Sequence, residues 1–415
     1  MKEYLIIGNG IAAAGCVEGI RSVDGGGAIT VVSKERQAVY CRPLISYYLQ
    51  GKTDLERMAY RPGDFYEAMG CAVLSGRAVA AMDCRRHSAV LDSGEELCYD
   101  KACVATGSSP FVPDFKGIET VEKRFSFMTI DDALALEREL KRDSRVLIMG
   151  AGMIGLKCAE GIKDRVASVA VCDLAGHILS SVMDEACAAP LQERLREGGI
   201  ELILGRSVER FDGSVAHLSG GGEIGFDLLV LAVGIRPNVS LLADVEGCVG
   251  RGITVDEAMR TKATDVYAAG DCTECYDLTS GTVRPLANLP NAYMQGFTAG
   301  VNMAGGESYF RNPIPMNSIG FYGLHAMTAG SSFGTGEGEE VYEDSAPGRF
   351  KRLVTKDGYL TGFALVGDTC RAGIYTALIR DRVPLERIDF ALVKKSPSLL
   401  PFGQSFRGQT LGGVV

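Results

Sequence analysis

The chain has 415 residues, 46% hydrophobic and 23% charged, enough for two or three cores rather than one. Its formal net charge of −9, with no basic run, excludes nucleic acid as a partner. Its 13 irregularly spaced cysteines exclude a disulfide framework and point to reduced, buried thiols and a cytoplasmic protein, and no stretch reaches the ~18–20 apolar residues of a membrane span.

The first residues, MKEYLIIGNGIAAAGC, end in a small-small-Cys pattern that a lipoprotein signal can show. Glu3 weakens a positive leader and Gly8-Asn9-Gly10 breaks its apolar core. A buried strand, a glycine turn and a helix explain the same residues better. AITVVSKE (28–35) is the next strand and completes a βαβ unit. Short alternating stretches between Gly70 and Leu97 predict an antiparallel meander, and YDKACVATG predicts a strand ending at Thr106-Gly107.

The plan then repeats. Strand RVLIMG, turn GAGMIG, helix LKCAEGI and strand VASVAVCD form a second βαβ from about residue 144. A helix (DEACAAPLQERLREGG), a strand (IELILG), a second meander and strand LLVLAVG follow. TDVYAAGDC leads to a helix, NAYMQGFTAGVNMAGG. From about 311 the composition shifts to short strands with one helix at 371–381, read as a separate C-terminal domain.

Gly8-x-Gly10-x-x-Ala13 sits where a strand becomes a helix. Glycines there let the backbone turn tightly against a pyrophosphate, which faces the free N–H groups of the helix. Glu35, 25 residues after Gly10, fits the acid that grips a ribose. Gly150-x-Gly152-x-x-Gly155 repeats the signal, and Asp173 closes its second strand. Asp173 can accept from both ribose hydroxyls of NADH and would repel the 2′-phosphate of NADPH. Two such folds suggest FAD and NADH, with Asp271 of the Gly-Asp turn on a ribityl hydroxyl.

The ordered motifs GxGxxA, acid, ATG, GxGxxG, acid, small-x-Gly and VYAAGD cover residues 1 to about 305 and resemble the pyridine nucleotide–disulfide oxidoreductase superfamily. YCRPLIS, GAGMIGLKCAEGI and VGDTCRAGIYTALIR are similar to its branch of NADH:rubredoxin reductases and nitrite reductase flavin domains. The resemblance implies an α/β protein: two Rossmann-like three-layer ββα domains plus an α+β interface domain. The FAD domain would span 1–115 and 239–310, the NADH domain 116–238 and the interface domain 311–415. It implies that Gly8, Gly10, Ala13, Glu35, Arg42, Val79, Thr106, Gly107 and Asp271 hold FAD, Val79 through its backbone, and that the helix near Asn291 points at the flavin pyrimidine. Gly150, Gly152, Ile154, Gly155, Asp173 and Gly234 would hold NADH.

The departures narrow the chemistry. The Cys-x4-Cys pair of disulfide reductases does not occur in the first helix region. Alignment on YYLQG puts the single active cysteine of NADH oxidases at Pro43, so Cys41 is near that place but off register. Tyr47 and Lys157 replace a lysine and an acid of ferredoxin reductases. Lys157 could touch the flavin edge, Glu160 or the nicotinamide amide, or be solvated. His325 could approach the flavin or be structural. Cys272-x-x-Cys275 follows the Gly-Asp turn rather than lying in the nicotinamide domain, and it has no second pair to complete a zinc site.

No metal site is therefore expected, and these cysteines read as structural. The leading expectation is an NADH-dependent reductase of a small electron-carrier protein: rubredoxin, ferredoxin or another iron–sulfur protein. The alternative is a thiol-using reductase of coenzyme A disulfide, persulfide, oxygen or peroxide through Cys41 or Cys272/Cys275. A non-catalytic flavin-binding subunit is a third reading. Either a monomer or a homodimer is compatible with the interface domain.

Overall fold

A computed structural model describes residues 1–399. The expected C-terminal domain therefore extends, in its last residues, outside the described part. Strand Glu3–Ile7 lies at the centre of a five-stranded sheet, between Ala28–Ser33 and Lys101–Val104. Cys71–Ser75 and Val266–Ala268 form its edges, and every pairing is parallel. The central strands are near-continuous apolar runs because helices and a meander cover both faces.

A second five-stranded parallel sheet repeats the central order but takes one edge strand, Arg124–Phe125, from before its first βαβ rather than after it. Arg145–Met149 is central, between Ser168–Asp173 and Leu228–Leu231, with Glu201–Leu204 and Arg124–Phe125 outermost. Each sheet has a three-stranded antiparallel meander as an outer layer, one over Val79–Cys98 and one over Val208–Gly225. The final strand of the first sheet, Val266–Ala268, comes after the whole second sheet in the chain. The two crossings between the units, Ser108–Pro110 and Ile235–Pro237, pair antiparallel with each other. Asn238 reinforces this ribbon: its amide donates to the Thr106 carbonyl (2.8 Å), and the Thr106 hydroxyl donates to the Asn238 carbonyl (2.9 Å).

The Ile11–Arg21 helix crosses the Leu289–Met303 helix at glycines of both helices. A Cβ on Gly296 or Gly300 would run into the carbonyls of Ala12 or Cys16. Glycine inside a helix costs about 1 kcal/mol against alanine. The close backbone approach at this crossing is what requires it.

The C-terminal part is a five-stranded antiparallel sheet, ordered Met316–Phe321, Leu324–Gly330, Tyr359–Val366, Arg349–Lys356, Glu340–Ala346, with helix Ala372–Arg380 packed on it. It docks on the second unit. Arg352, 6% exposed, pairs with Asp184 at 2.7 Å, and the Ser332 hydroxyl donates to the Val182 carbonyl at 3.0 Å. Among the described residues no helix is long and apolar enough to cross a membrane.

The strands end earlier than the sequence patterns suggest. Lys101–Val104 stops before Thr106-Gly107, which forms part of the turn beyond it. The short helix Ile45–Leu49 and the hairpin Thr273–Asp277/Thr282–Arg284 have no counterpart in the sequence reading.

Candidate functional site

The two glycine turns have the same geometry. Gly8 (φ +118°) and Gly150 (φ +108°) adopt backbone that side chains rarely take, and a Cβ on either would enter the carbonyl of Ala105 or Ala232. Gly10 and Gly152 are the N-caps of the helices Ile11–Arg21 and Met153–Ile162. A Cβ on either would meet no protein atom within 4 Å. The third position differs: Ala13 is tolerated and buried, whereas a Cβ on Gly155 would strike the Gly150 carbonyl.

These two helices receive no side-chain cap and carry no acid in their first turns. Thr129, Asp184 and Asn288 cap other helices through their side chains. Uncapped N–H groups at the positive end of a helix, fronted by a glycine with open space, form a cradle for an anion. Two of them lie among the described residues, at corresponding places in the two units.

Around the first turn, Glu35 and Arg42 form an ion pair. Tyr40 donates its hydroxyl to Glu35 (2.7 Å) and accepts from Arg42 (3.1 Å). Glu35 is thereby fixed at the end of its strand. Arg42 also acts on Asp271, which lies beyond the Val266–Ala268 strand. Burial pushes the Asp271 carboxyl above its usual range, and Arg42 and the Ser108 hydroxyl partly hold it down. The preceding Gly270 donates its N–H to buried Gln295 at 2.7 Å. Thr106 and Gly107 (φ +64°) are both held by Asn238, whose backbone amide donates to the Gly107 carbonyl at 2.9 Å. Val79 begins the outer meander opposite Leu91, beside a register shift.

Asn291 is 1% exposed. Its amide nitrogen donates to the Ile314 carbonyl at 3.0 Å, while its Oδ1 has no protein partner. Such an acceptor is costly unless a ligand or water satisfies it. A cavity of about 480 Å³ opens at this helix end, lined by polar groups from three parts of the chain, including Ser181, Thr279, Asn288, Asn317 and Ser331.

Around the second turn, Asp173 accepts from the amides of Ala151 (2.6 Å) and Ala175 (2.8 Å). Its charge is thus held still beside the glycine cradle. Leu174, next to it, is 73% exposed. Ile154 is half-buried one residue before Gly155. Gly234 (φ +138°) has open space where a side chain would stand. The open cradles, the fixed acids and the unpartnered Asn291 oxygen fit two dinucleotides, one at each unit.

The thiols give a different picture. Cys41, Cys272 and Cys275 are all free. Cys272 is fully buried, with Sγ 3.4 Å from the Val104 carbonyl and 3.3 Å from that of Ala269. Cys275 contacts the Gln295 amide at 3.6 Å. Burial pushes both thiols up to about 12. Cys41 is half-buried and also raised by burial, against a small opposing effect of the Leu44 amide. A thiol raised in this way is a poor nucleophile at neutral pH.

Lys157 is not a solvated lysine. Its ammonium pairs with Glu160, donates to the Gly320 carbonyl (3.2 Å) and lies 4.6 Å over the Tyr47 ring. His325 is exposed on the C-terminal sheet, and its ring stands over Gly320. Among the described residues no group of three His, Cys, Asp or Glu could hold a metal ion. Sequence reasoning missed Gln295 and Asn238. The signal for Gln295 was present: it lies one turn after Asn291 on the same face of its helix.

The chain is 32% identical over 391 residues, 92% of each protein, to the NADH-dependent phenylglyoxylate dehydrogenase subunit epsilon of Aromatoleum evansii. It is 24% identical over 340 residues, 82% of this chain and 85% of the other, to the NADH-rubredoxin oxidoreductase of Clostridium acetobutylicum. Among solved structures, the covalent putidaredoxin reductase–putidaredoxin complex superposes with a TM-score of 0.85 at 23% identity, covering 95% of this chain and 96% of that one. Residues 2–296 match the pyridine nucleotide-disulphide oxidoreductase family. With both nucleotide cradles formed and this match over most of its length, the chain belongs to that family and is an NAD(P)H-dependent flavin oxidoreductase.

Proposed function

We propose that this chain is an NADH-dependent FAD reductase that passes electrons to a protein-borne iron centre, on rubredoxin, ferredoxin or another iron–sulfur protein, in the cytoplasm. The observation that carries this reading is the state of the thiols around the first cradle: Cys41, Cys272 and Cys275 are unpaired and each is raised by burial. Bound FAD would supply the redox chemistry, accepting a hydride from NADH and releasing electrons onward.

The protein's part is to bind and orient. Gly8 and Gly10 would admit the FAD pyrophosphate to the Ile11–Arg21 helix, and Glu35 with Arg42 would fix the adenosine end. Asp271 would accept from a ribityl hydroxyl, and the Leu289–Met303 helix with Asn291 would bind the pyrimidine edge. Gly150 and Gly152 would do the same for NADH, with Gly155 letting its helix close against the turn, Ile154 beside the cofactor and Gly234 leaving open space next to it. The fixed carboxylate of Asp173 would select NADH over NADPH by repelling a 2′-phosphate. Two relatives support a protein acceptor: one is by name a subunit of a dehydrogenase, the other acts with rubredoxin.

The test is anaerobic turnover of NADH with rubredoxin, a ferredoxin, coenzyme A disulfide and peroxide offered separately. Turnover that is fastest with an iron protein and unaffected by thiol alkylation supports the reading. Alkylation-sensitive turnover of disulfide or peroxide would replace it with the thiol-using alternative.

A further inference from the structure

We propose that Lys157 is a positioning residue whose ammonium clamps the nucleotide-side helix to both other parts of the molecule and so sets the alignment of the two dinucleotide sites. Lys157 lies on the Met153–Ile162 helix, five residues beyond Gly152. Its side chain is 15% exposed and that of Glu160 is 6% exposed. A buried ion pair is stable only if its remaining donors and acceptors are used.

Here each is used by a different part of the chain. Glu160 takes Lys157 on one oxygen and accepts the Tyr322 amide on the other at 2.8 Å. Lys157 donates to the Gly320 carbonyl at 3.2 Å, just before Tyr322 on the C-terminal sheet. The same ammonium lies 4.6 Å over the ring of Tyr47, on the Ile45–Leu49 helix of the first unit, and 5.6 Å from the ring of Phe321. One cation therefore contacts all three parts, two turns or less from the NADH cradle. Apolar side chains would bury this junction as well, but without fixing its direction. A charge with oriented partners admits one arrangement.

The inference rests on the reading that NADH reduces a flavin bound to this chain. A small misalignment of reacting groups costs rate far more than affinity. In the FAD-loaded protein, Lys157→Met should lower the limiting rate of flavin reduction by NADH at least about tenfold. The apparent NADH dissociation constant should stay within about threefold, and Lys157→Arg should recover part of the rate. Hydrogen exchange gives a readout that needs no turnover: the Tyr322 amide should exchange faster in Lys157→Met than in the wild type.

Because a lone Glu160 would be buried without its partner, the double variant Lys157→Met/Glu160→Gln keeps an acceptor for Tyr322 without the charge. It should fold and hold FAD, and still reduce slowly. A wild-type reduction rate in the double variant, or unchanged Tyr322 exchange in the single one, would overturn the proposal. Failure of NADH to bleach the wild-type flavin would instead overturn the functional reading, and the exchange measurement would still judge the clamp.

Discussion

Gly8 and Gly10 lie two residues apart, and the structure assigns them separable jobs. Gly10 has φ −93° and ψ −170°, backbone any residue adopts, and a Cβ there meets no protein atom within 4 Å. Gly10→Ala should therefore cost the apoprotein only the N-cap preference, about 0.5–1 kcal/mol. The new methyl would occupy the space where a phosphate oxygen must approach a backbone N–H to about 2.9 Å. Losing one charge-assisted hydrogen bond costs about 1.5–3 kcal/mol, roughly a 10- to 100-fold weaker FAD complex.

Gly8→Ala behaves oppositely. Its φ of +118° and the Ala105 carbonyl leave no place for a Cβ. Left-handed strain plus backbone overpacking costs about 3 kcal/mol or more before any ligand is present. Titration of each apoprotein with FAD, beside urea unfolding without it, separates the two effects. Wild-type FAD affinity in Gly10→Ala, or an apoprotein as unstable as Gly8→Ala, would refute the assignment of this turn as a phosphate cradle.

Asp173→Ala should shift the NADH/NADPH ratio of kcat/KM at least about tenfold toward NADPH by removing a fixed negative charge, as steady-state kinetics would show. Cys275→Ala should leave NADH-driven flavin reduction unchanged, since this thiol is buried against Gln295; a stopped-flow trace slowed more than threefold would contradict it. Asp277, wholly buried, holds Thr279, Ser280 and Arg284 at the hairpin turn. Burial pushes its carboxyl up, but the Thr279 groups and Arg284 outweigh this and hold it below the usual carboxylate range. Its stabilisation is therefore fully present above the unfolded value of about 4 and is lost as pH falls through the lower folded value. Asp277→Asn should cost about 1–2 kcal/mol at pH 7, since Arg284 is partly exposed, with the gap to wild type closing below about pH 4 in denaturant unfolding.

Local rules made the nucleotide folds legible. A strand, a glycine turn and a helix with an acid after the next strand depend on neighbours within about 30 residues, so Gly8 to Glu35 and Gly150 to Asp173 could be read directly. Contacts distant in sequence could not. Nothing local says that Lys157 will find Gly320 and Tyr47, or that Gln295 will fix the turn at Gly270. The hairpin at 273–284 carries no sequence signal of its own because its first strand follows directly on the Gly-Asp turn and overlaps the Cys272-x-x-Cys275 spacing. The paired glycines of the Ile11–Arg21 and Leu289–Met303 helices become informative only when both helices are seen to cross.

The central claim is that electrons leave this chain from the flavin and not from a thiol. An anaerobic titration of the FAD-loaded protein with NADH and then dithionite, followed from about 400 to 700 nm, counts the electrons taken up per flavin. The account predicts about two, with no thiolate-to-flavin charge-transfer band. About four, with such a band at the midpoint, would show a working dithiol and contradict it.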